Sequence, residues 1–427
     1  MVMEKSDKIK IVQKLIENGI QLNRRNYLKI TAVLFPGLLA GTAGCSKSGE
    51  QSDWKGVSFP KVLFHNFKLF NGIDNLLKKD LILLIEGEKI RGIERMGDLT
   101  RYKGYEIIDL KGKTVLPGLI DNHTHMTAPM MMKPNPNMLL QYYEQVKLNY
   151  RNCILSGVTT TRDVGAFPGM ISRFGEKVDN NEIPGPRVIS SLSMIAARKG
   201  AEFGMPDYIP YFYDPFSKFF YGGNFAERPS NTEEIREICE ELIKKGAAWL
   251  KTLHHDQTCS YFPRKVPNHS DEGYETILEL GKKHGIKSAM HAMFLTGFKK
   301  GVDLGYHTLE HIPMNGVIPD IHIEKFINKG MAIMPTIMIF GDAFHHDRIL
   351  NLLKSKDDEY LVPEARKQML TTLKYNRERA NIDLSEEEIR KLSYQPKYER
   401  DMFHFTILNL KKLKKMGATV GLGTDSV

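Results

Sequence analysis

Cysteine is scarce in this chain, with 4 among 427 residues. Cys45 closes an N-terminal apolar stretch, which leaves an odd set without disulfide spacing: Cys153, Cys239 and Cys259. We therefore expect a fold that does without disulfides. We interpret Cys259 as a free thiol of a loop or the core, and its closeness in sequence to Lys251 leaves a soft metal ligand as the alternative.

A long apolar run is also missing near the N-terminus. Residues 30–43 are apolar but contain a proline and several glycines, and they fall short of the roughly 20 residues that a membrane-spanning helix needs. Residues 23–29 (NRRNYLK) resemble a twin-arginine export signal. Residues 42–45 (TAGC) resemble a lipoprotein cleavage box, with Thr42 where Leu, Val or Ile is usual.

These features predict an N-terminal targeting segment that is not part of the fold. We expect a signal over residues 1–45, a lipid anchor on Cys45, a tether over residues 46–57, and a periplasmic or cell-envelope location. An uncleaved amphipathic anchor is the alternative.

No basic stripe interleaved with aromatic residues accompanies the net charge of +9, so we expect no nucleic-acid partner. Neither an internal repeat nor a low-complexity tract is present. A hydrophobic fraction of 41% and a charged fraction of 26% are typical of a globular protein. The length permits one large barrel domain.

Two histidines separated by one residue follow an apolar run. Residues 114–120 predict a strand that is buried on both faces. Because side chains alternate along a strand, His123 and His125 leave on the same face. Two such imidazoles can bind one metal ion; two hydrogen-bonded histidines near a turn are the alternative.

Four further polar residues each end or follow a short apolar run: Lys251, His291, His311 and Asp425. Runs of this length, bounded by glycine and charged residues, fit parallel strands. The carboxyl ends of parallel strands are where barrel enzymes hold their chemistry.

Strand and helix patterns alternate through most of the chain. The strand candidates lie near residues 115–121, 157–164, 187–195, 247–253, 287–292, 306–312, 331–339 and 418–425. Helical patterns lie between them, such as 232–245 after Asn231 or Thr232 and 272–284 after Ser270. Eight such pairs predict an α/β fold, a (β/α)8 TIM barrel.

Shorter strand-like pieces precede the barrel, in hairpin order, at residues 61–64, 81–85, 89–93 and 106–110. Two long connections interrupt it. Residues 196–246 are predicted to build a substrate-side loop, and the charged residues 340–417 a lid or outer insertion.

Four motifs together resemble the amidohydrolase superfamily, in its imidazolonepropionase-like and Xaa-Pro dipeptidase-like branch. They are residues 117–125 (PGLIDNHTH), 157–165 (GVTTTRDVG), 310–311 (EH) and 423–425 (GTD). The resemblance implies a barrel over residues 117–427, flanked by a small β-sandwich whose N-terminal part is residues 58–116. It also implies that the remaining sandwich strands lie outside this sequence, in a longer chain or a separate one.

The resemblance further implies a metal-dependent hydrolase with two divalent metal ions. His123, His125 and Asp425 would hold one ion, and His291 and His311 the other. Zinc suits nitrogen and oxygen ligands without a redox step, and manganese or iron remains open. Such ions polarise a carbonyl and activate water, and Asp425 would act as general base and then acid.

Lys251 would bridge the two ions after carboxylation to a carbamate, by the same resemblance. The alternative is a lysine that ends a strand with its ammonium group in solvent. Tyr261 and His254 are candidates for substrate binding. Arg162 and Asp163 are interpreted as supports for the metal-binding side chains rather than as catalytic groups.

One departure from the family pattern concerns the substrate. Many relatives carry Gly-Gly-His near the end of the third strand, where this chain has residues 195–200 (IAARKG). The substrate groups contacted there must therefore differ.

Three functional hypotheses follow. The first is hydrolysis of an amide bond in a small substrate, such as a dipeptide or an N-acyl amino acid, by a possible homo-oligomer. The second is a cyclic amidohydrolase of imidazolonepropionase type, with one metal ion and no bridging lysine. The third is a lipoprotein that binds a ligand or a partner without turnover.

Overall fold

The computed structural model describes residues 61–128, 136–198, 222–256, 265–337 and 396–426. The predicted signal segment, the lipidation site Cys45 and the tether lie outside these residues. So do Tyr261, Cys259, residues 199–221 of the first predicted long connection and residues 340–395 of the second. Within the described parts of the chain, none of the helices combines the length and apolarity that crossing a bilayer requires.

The N-terminal strands form a small mixed sheet with the order β4-β3-β1-β5 and a two-stranded β2–β6 pair. Their bounds are β1 Val62–His65, β2 Lys68–Leu69, β3 Leu81–Glu86, β4 Lys89–Arg95, β5 Glu106–Asp109 and β6 Thr114–Val115. Apolar side chains pack on both faces of the four-stranded sheet, around Leu63 on one side and Leu83 on the other. The predicted hairpin strands therefore all occur.

The remaining strands pair in parallel along the chain. They are β7 Leu119–Thr124, β8 Val158–Asp163, β9 Arg187–Ser190, β10 Met194–Ile195, β11 Ala226–Glu227, β12 Trp249–Leu253, β13 Lys287–His291, β14 Thr308–Glu310, β15 Ala332–Met334 and β16 Thr419–Val420. One sheet has the order β7-β8-β9 and the other β11-β10-β12-β13-β14-β15-β16.

Backbone hydrogen bonds join the two sheets at both ends. The amide of Ala248, just before β12, donates to the Ser190 carbonyl at the end of β9 over 2.8 Å. On the other side, the segment after β16 pairs with β7, since the Asp425 amide donates to the His123 carbonyl over 2.8 Å. The predicted fold class, a TIM-barrel-like α/β fold, is confirmed.

Helices lie between the strands. They are α1 Pro136–Leu155, α2 Pro168–Asp179, α3 Thr232–Lys244, α4 Asp271–His284, α5 Leu295–Leu304, α6 Asp320–Asn328 and α7 Pro396–Lys415. The predicted caps are present: the Asn231 side chain accepts from the Glu234 amide, and Ser270 accepts from the Gly273 amide. Two apolar clusters bury the helices against the strands, one around Phe174 and Leu250, the other around Phe298.

Two strand predictions were wrong in detail. Residues 114–120 are not one buried strand, because β6 pairs with β2 of the small unit and β7 begins only at Leu119, with Leu119 and Ile120 exposed. Residues 187–195 are divided because Leu192 adopts a left-handed φ of 59°, which separates β9 from β10.

Candidate metal centre

Six side chains predicted from the sequence gather at or near the carboxyl ends of the barrel strands, with Lys251 in the middle of its strand. They are His123 and His125 on β7 and just after it, Lys251 on β12, His291 at the end of β13, His311 after β14 and Asp425 after β16. The lysine and the four histidines are all buried. Parallel pairing brings these strand ends to one rim, as expected for a barrel.

Asp425 lies between the two histidines of β7. Its Oδ1 atom is 3.2 Å from His123 Nε2 and 3.2 Å from His125 Nε2. The donor atoms of His123, His311 and Asp425 all lie within 4.8 Å of one another. Two imidazole nitrogens and a carboxylate at this spacing are a suitable ligand set for a divalent transition metal.

The histidine rings continue in a row from this cluster. The ring centroid of His311 is 4.8 Å from that of His123 and 4.2 Å from that of His291. His255 then stacks on His291 with centroids 4.0 Å apart. The row links the first strand of the barrel to the segment after β12.

Three residues at this rim adopt left-handed backbone conformations that are uncommon for side chains with a Cβ atom. They are His311 (φ 67°), Thr336 (φ 41°) and Asp425 (φ 57°). The Thr336 hydroxyl lies 2.6 Å from His311 Nδ1. Strain of this kind concentrates at functional sites, where the surrounding structure over-determines the backbone.

Lys251 is a buried amine in the barrel interior. Its Nζ atom has no hydrogen-bond partner among the described residues. Burial lowers the pKa of Lys251 to about 8, although the charges of Glu310 and Asp425 oppose this effect. The solvent-exposed alternative for this lysine is therefore wrong.

Burial and charge at the rim favour an ionised Asp425 carboxylate and neutral imidazole rings at His291 and His311. Burial alone would raise the pKa of Asp425, but His123 and His125 outweigh it and hold that pKa well below its usual range. Burial also holds the pKa values of His291 and His311 well below the ordinary histidine value, so their ring nitrogens stay available as metal ligands.

The pKa of His125 is shifted upward, in the opposite direction to those of His291 and His311. Burial lowers its pKa, but the hydrogen bond and charge of Asp425 outweigh burial and raise it. Its Nδ1 lies 2.9 Å from the Gly165 carbonyl oxygen, which leaves Nε2 for Asp425. A proton and a metal ion would compete for this nitrogen.

Other buried polar side chains contact His123 and the segment that carries Asp425. The Glu310 carboxylate lies 2.6 Å from His123 Nδ1 and 2.6 Å from Arg162 Nη2. Asp121 accepts from the Thr424 amide over 3.1 Å and from its hydroxyl over 2.6 Å, which ties β7 to the segment that carries Asp425.

Sequence reasoning missed Glu310, Asp121 and Thr336 as contacts of the site. Glu310 lies within the EH motif and Asp121 within the motif of residues 117–125. Their place in these motifs was the sequence signal that could have identified them. For Thr336 no sequence signal exists. Arg162 contacts Glu310 and the Asn122 carbonyl, a position that fits the supporting interpretation.

The two predicted substrate-binding residues are placed differently. Tyr261 lies outside the described residues. His254 is half-buried, with Nδ1 3.1 Å from the Tyr274 hydroxyl. Its neighbour His255 is the member of the pair that reaches the histidine row.

Comparison with known proteins identifies the family and agrees with the fold. The sequence profile of the Amidohydrolase family matches residues 114–427. The chain is similar to the crystal structure of an amidohydrolase, with a TM-score of 0.61 and 22% identity, over 86% of this chain and 78% of that one.

Two further crystal structures share the fold. One is a Xaa-Pro dipeptidase with methionine bound in its active site, with a TM-score of 0.58 and 18% identity, over 86% of this chain and 79% of that one. The other is an A. niger ochratoxinase, with a TM-score of 0.57 and 16% identity, over 86% and 76% of the two chains.

A shorter match relates this chain to a curated relative. A 5-methylthioadenosine/S-adenosylhomocysteine deaminase of Bacillus thuringiensis (strain Al Hakam) is 32% identical over 66 residues. The match spans 16% of this chain and only 15% of that relative.

Proposed function

We propose that this chain, which belongs to the amidohydrolase family, is a hydrolase of carbon–nitrogen bonds that cleaves the amide bond of a small substrate, such as a dipeptide or an N-acyl amino acid. The observation that carries this proposal is the convergence of six side chains, one of them the buried Lys251, at one rim of the barrel. The similarity to a Xaa-Pro dipeptidase structure supports the same substrate class.

We propose that the site binds two divalent metal ions, with zinc as the leading candidate. His123, His125 and Asp425 would hold one ion, and His291 and His311 the other. Metal ions bound there would supply Lewis-acid polarisation of the substrate carbonyl and a lower pKa for water. The neutral imidazoles of His291 and His311 and the ionised carboxylate of Asp425 suit these ions without prior deprotonation, whereas a metal ion would have to displace a proton from His125.

Lys251 is proposed to join both ions as a carbamate. Its buried amine, with no hydrogen-bond partner among the described residues, would attack carbon dioxide; an N–C bond forms and one proton leaves. The product is an anion with two oxygen donors. A pKa of about 8 gives a substantial fraction of the neutral, reactive amine near neutral pH.

Asp425 is proposed to handle the proton of the reaction. Its carboxylate is ionised and retains a side-chain exposure of 13%, more than either histidine that it contacts on β7. It would accept a proton from the attacking water and deliver it to the leaving nitrogen. Its Oδ1 atom lies 3.2 Å from the Nε2 atoms of both His123 and His125.

The test is hydrolysis by the full chain loaded with zinc, on a panel of dipeptides and N-acyl amino acids, with release of the free amine as the measurement. Chelator-treated enzyme and the variant Asp425→Asn are the matched negative samples. Amine release that requires both the metal and Asp425 supports the proposal. If no member of the panel is cleaved by metal-loaded enzyme, this substrate class is wrong.

A second candidate is a cyclic amidohydrolase of imidazolonepropionase type. The close cluster of His123, His311 and Asp425, within 4.8 Å, favours it because it is sufficient for one metal ion without Lys251. Adding ring amides to the same panel tests it. Ring opening that is unaffected by Lys251→Ala would favour this candidate over the first.

The N-terminal motifs support a proposal on location, that the protein is exported and carries a lipid on Cys45. Cell fractionation with radiolabelled fatty acid tests this proposal. The label should reach the wild-type chain in the membrane fraction and be absent from Cys45→Ser. Equal labelling of both would contradict it.

A further inference from the structure

A chain of buried charges lies under the histidine row, in the interior of the barrel. One oxygen of the Glu310 carboxylate is 2.6 Å from His123 Nδ1, and the other is 2.6 Å from Arg162 Nη2. The Glu310 residue is 0% exposed and Arg162 is 5% exposed. Barrel interiors are usually filled by branched apolar side chains, so buried charges here require a specific reason.

Arg162 is itself fixed on several sides. Its Nε donates to the Asn122 carbonyl over 2.6 Å, and its Nη1 donates to the Thr308 hydroxyl over 3.0 Å. Its guanidinium lies over the Trp249 ring, 4.6 Å from the centroid. A planar guanidinium held in this way leaves the bound carboxylate little freedom to rotate.

Thr308 completes the support of the carboxylate. Its hydroxyl donates to Glu310 over 2.6 Å. Glu310 therefore has three partners, one on each of three strands: His123 on β7, Arg162 on β8 and Thr308 on its own strand β14. A buried carboxylate with its hydrogen bonds satisfied is stable, whereas removal of one partner would leave an uncompensated charge.

We propose that Glu310 is a positioning residue that orients His123 for metal binding, and that Arg162 and Thr308 hold Glu310 in place. The carboxylate accepts the Nδ1–H of His123, which fixes one tautomer of the ring. The lone pair of Nε2 is then directed toward Asp425, 3.2 Å away. This inference rests on the proposed metal site. Carboxylates that bind the far nitrogen of a metal-binding histidine set ring orientation and raise ligand basicity.

The competing interpretation is that the charges only brace the strands β7, β8 and β14. Both interpretations predict that Glu310→Gln lowers stability. Only the positioning role predicts a change in the tautomer of His123 and in metal affinity in protein that is still folded.

The first experiment measures zinc affinity of the full chain by competition with a chromophoric chelator. Glu310→Gln should weaken binding by roughly 10–100-fold. Glu272→Gln, an exposed glutamate in the first turn of α4, is the matched control and should bind as the wild type does. Unchanged affinity in Glu310→Gln would overturn the proposal.

A second variant covers the case in which Glu310→Gln does not fold. Glu310→Asp keeps the charge opposite Arg162 but is one methylene too short to maintain both contacts. It should also weaken zinc binding, and unchanged affinity in Glu310→Asp would overturn the proposal equally.

The second experiment reads the ring nitrogens directly, by NMR of metal-free protein with ¹⁵N-labelled histidine. The His123 signals, assigned by their loss in His123→Asn, should show the Nδ1–H tautomer in the wild type and a mixture in Glu310→Gln. The same tautomer in both would contradict the positioning role. If the wild type binds no metal, the proposed function fails, while the tautomer still decides the role of Glu310.

Discussion

At the scale of single residues, the site holds groups that the proposed function uses and that stability alone would not select. Lys251 is the clearest case, since its amine is 1% exposed and has no hydrogen-bond partner among the described residues. Burial lowers its folded-state pKa from 10.5 to about 8. Because the amine is buried, its charged form destabilises the folded metal-free protein.

The pH dependence of this effect has a definite sign. Between pH 8 and pH 10.5 the folded metal-free protein binds fewer protons at Lys251 than the unfolded chain does. The free energy of unfolding therefore rises with pH through this window, and the penalty of the buried charge is fully present below pH 8.

We predict that Lys251→Met stabilises the metal-free protein below about pH 8, by on the order of 3 kcal/mol. The difference should disappear as the pH rises above 10.5, because the wild-type amine is then neutral in both states. Urea unfolding in buffer free of carbon dioxide, at several pH values, measures it. Parallel pH profiles for the two proteins would show that the amine is not buried in its charged form.

A second prediction at this scale concerns Asp425. Asp425→Asn keeps the shape of the side chain but removes the proton acceptor, so kcat should fall by roughly 10²–10⁴-fold. Asp179→Asn, at the exposed end of α2, is the control and should leave kcat unchanged. Steady-state kinetics on the best substrate of the panel measures both, and a wild-type kcat for Asp425→Asn would remove Asp425 from the proposed mechanism.

At the scale of elements, local sequence patterns predicted the helices and most strands well. The predicted helix over 232–245 is α3, with its Asn231 cap, because amphipathic spacing and capping are both local properties. The prediction of a single strand over residues 114–120 was wrong, and the local sequence pattern does not contain the information that would have corrected it. Their apolar side chains are divided between two structural units, and only long-range pairing decides which.

The candidate site was predictable in its residue types but not in its contacts. The position of His291 at the end of β13 follows from a short apolar run bounded by polar residues, whereas Lys251, expected at a strand end, lies in the middle of β12. The contact between His123 and Glu310 joins residues 187 positions apart, and it depends on the register of β7, β8 and β14. The left-handed conformations of His311 and Asp425 likewise have no local signal, since neither is a glycine.

Close packing of the β16 segment on β7 leads to a third prediction. A Cβ atom on Gly423 would lie 2.6 Å from His123 Cβ. The contact of the His123 ring with Glu310 opposes a movement of this side chain away from the new atom. Gly423→Ala should lower the free energy of unfolding by about 1–3 kcal/mol and weaken metal binding.

Gly175→Ala is the control for that variant. Gly175 lies in the interior of α2, and a Cβ atom added there would meet nothing within 4 Å, so alanine should stabilise the helix by up to about 1 kcal/mol. Urea unfolding of both variants gives the comparison. Equal stability of Gly423→Ala and the wild type would mean that the two strands lie further apart than the structure has them.

At the scale of the whole molecule, the site joins the first and last strands of the barrel. Asp121 and Thr424 are 303 positions apart yet share two hydrogen bonds, and Asp425 contacts both histidines of β7. A metal ion held by His123 and Asp425 would therefore bind only the closed barrel. Binding and folding should be thermodynamically linked.

This linkage gives a fourth prediction. Free zinc at about 100 times its dissociation constant should raise the free energy of unfolding by about 2.7 kcal/mol, and a chelator should remove the gain. His123→Ala should show little response to zinc, whereas the surface variant His284→Ala, at the end of α4, should respond as the wild type does. A wild-type stability that does not change with zinc would contradict a metal site between these strands.

We propose a metal-dependent hydrolase whose two ions share Lys251, and the metal content per chain is the decisive measurement. Elemental analysis of purified wild-type protein and Lys251→Ala should give about two zinc equivalents in the wild type and clearly fewer in the variant. One equivalent in both proteins would contradict the bridging lysine and favour the cyclic amidohydrolase. No bound metal in wild-type protein supplied with zinc would contradict the account as a whole.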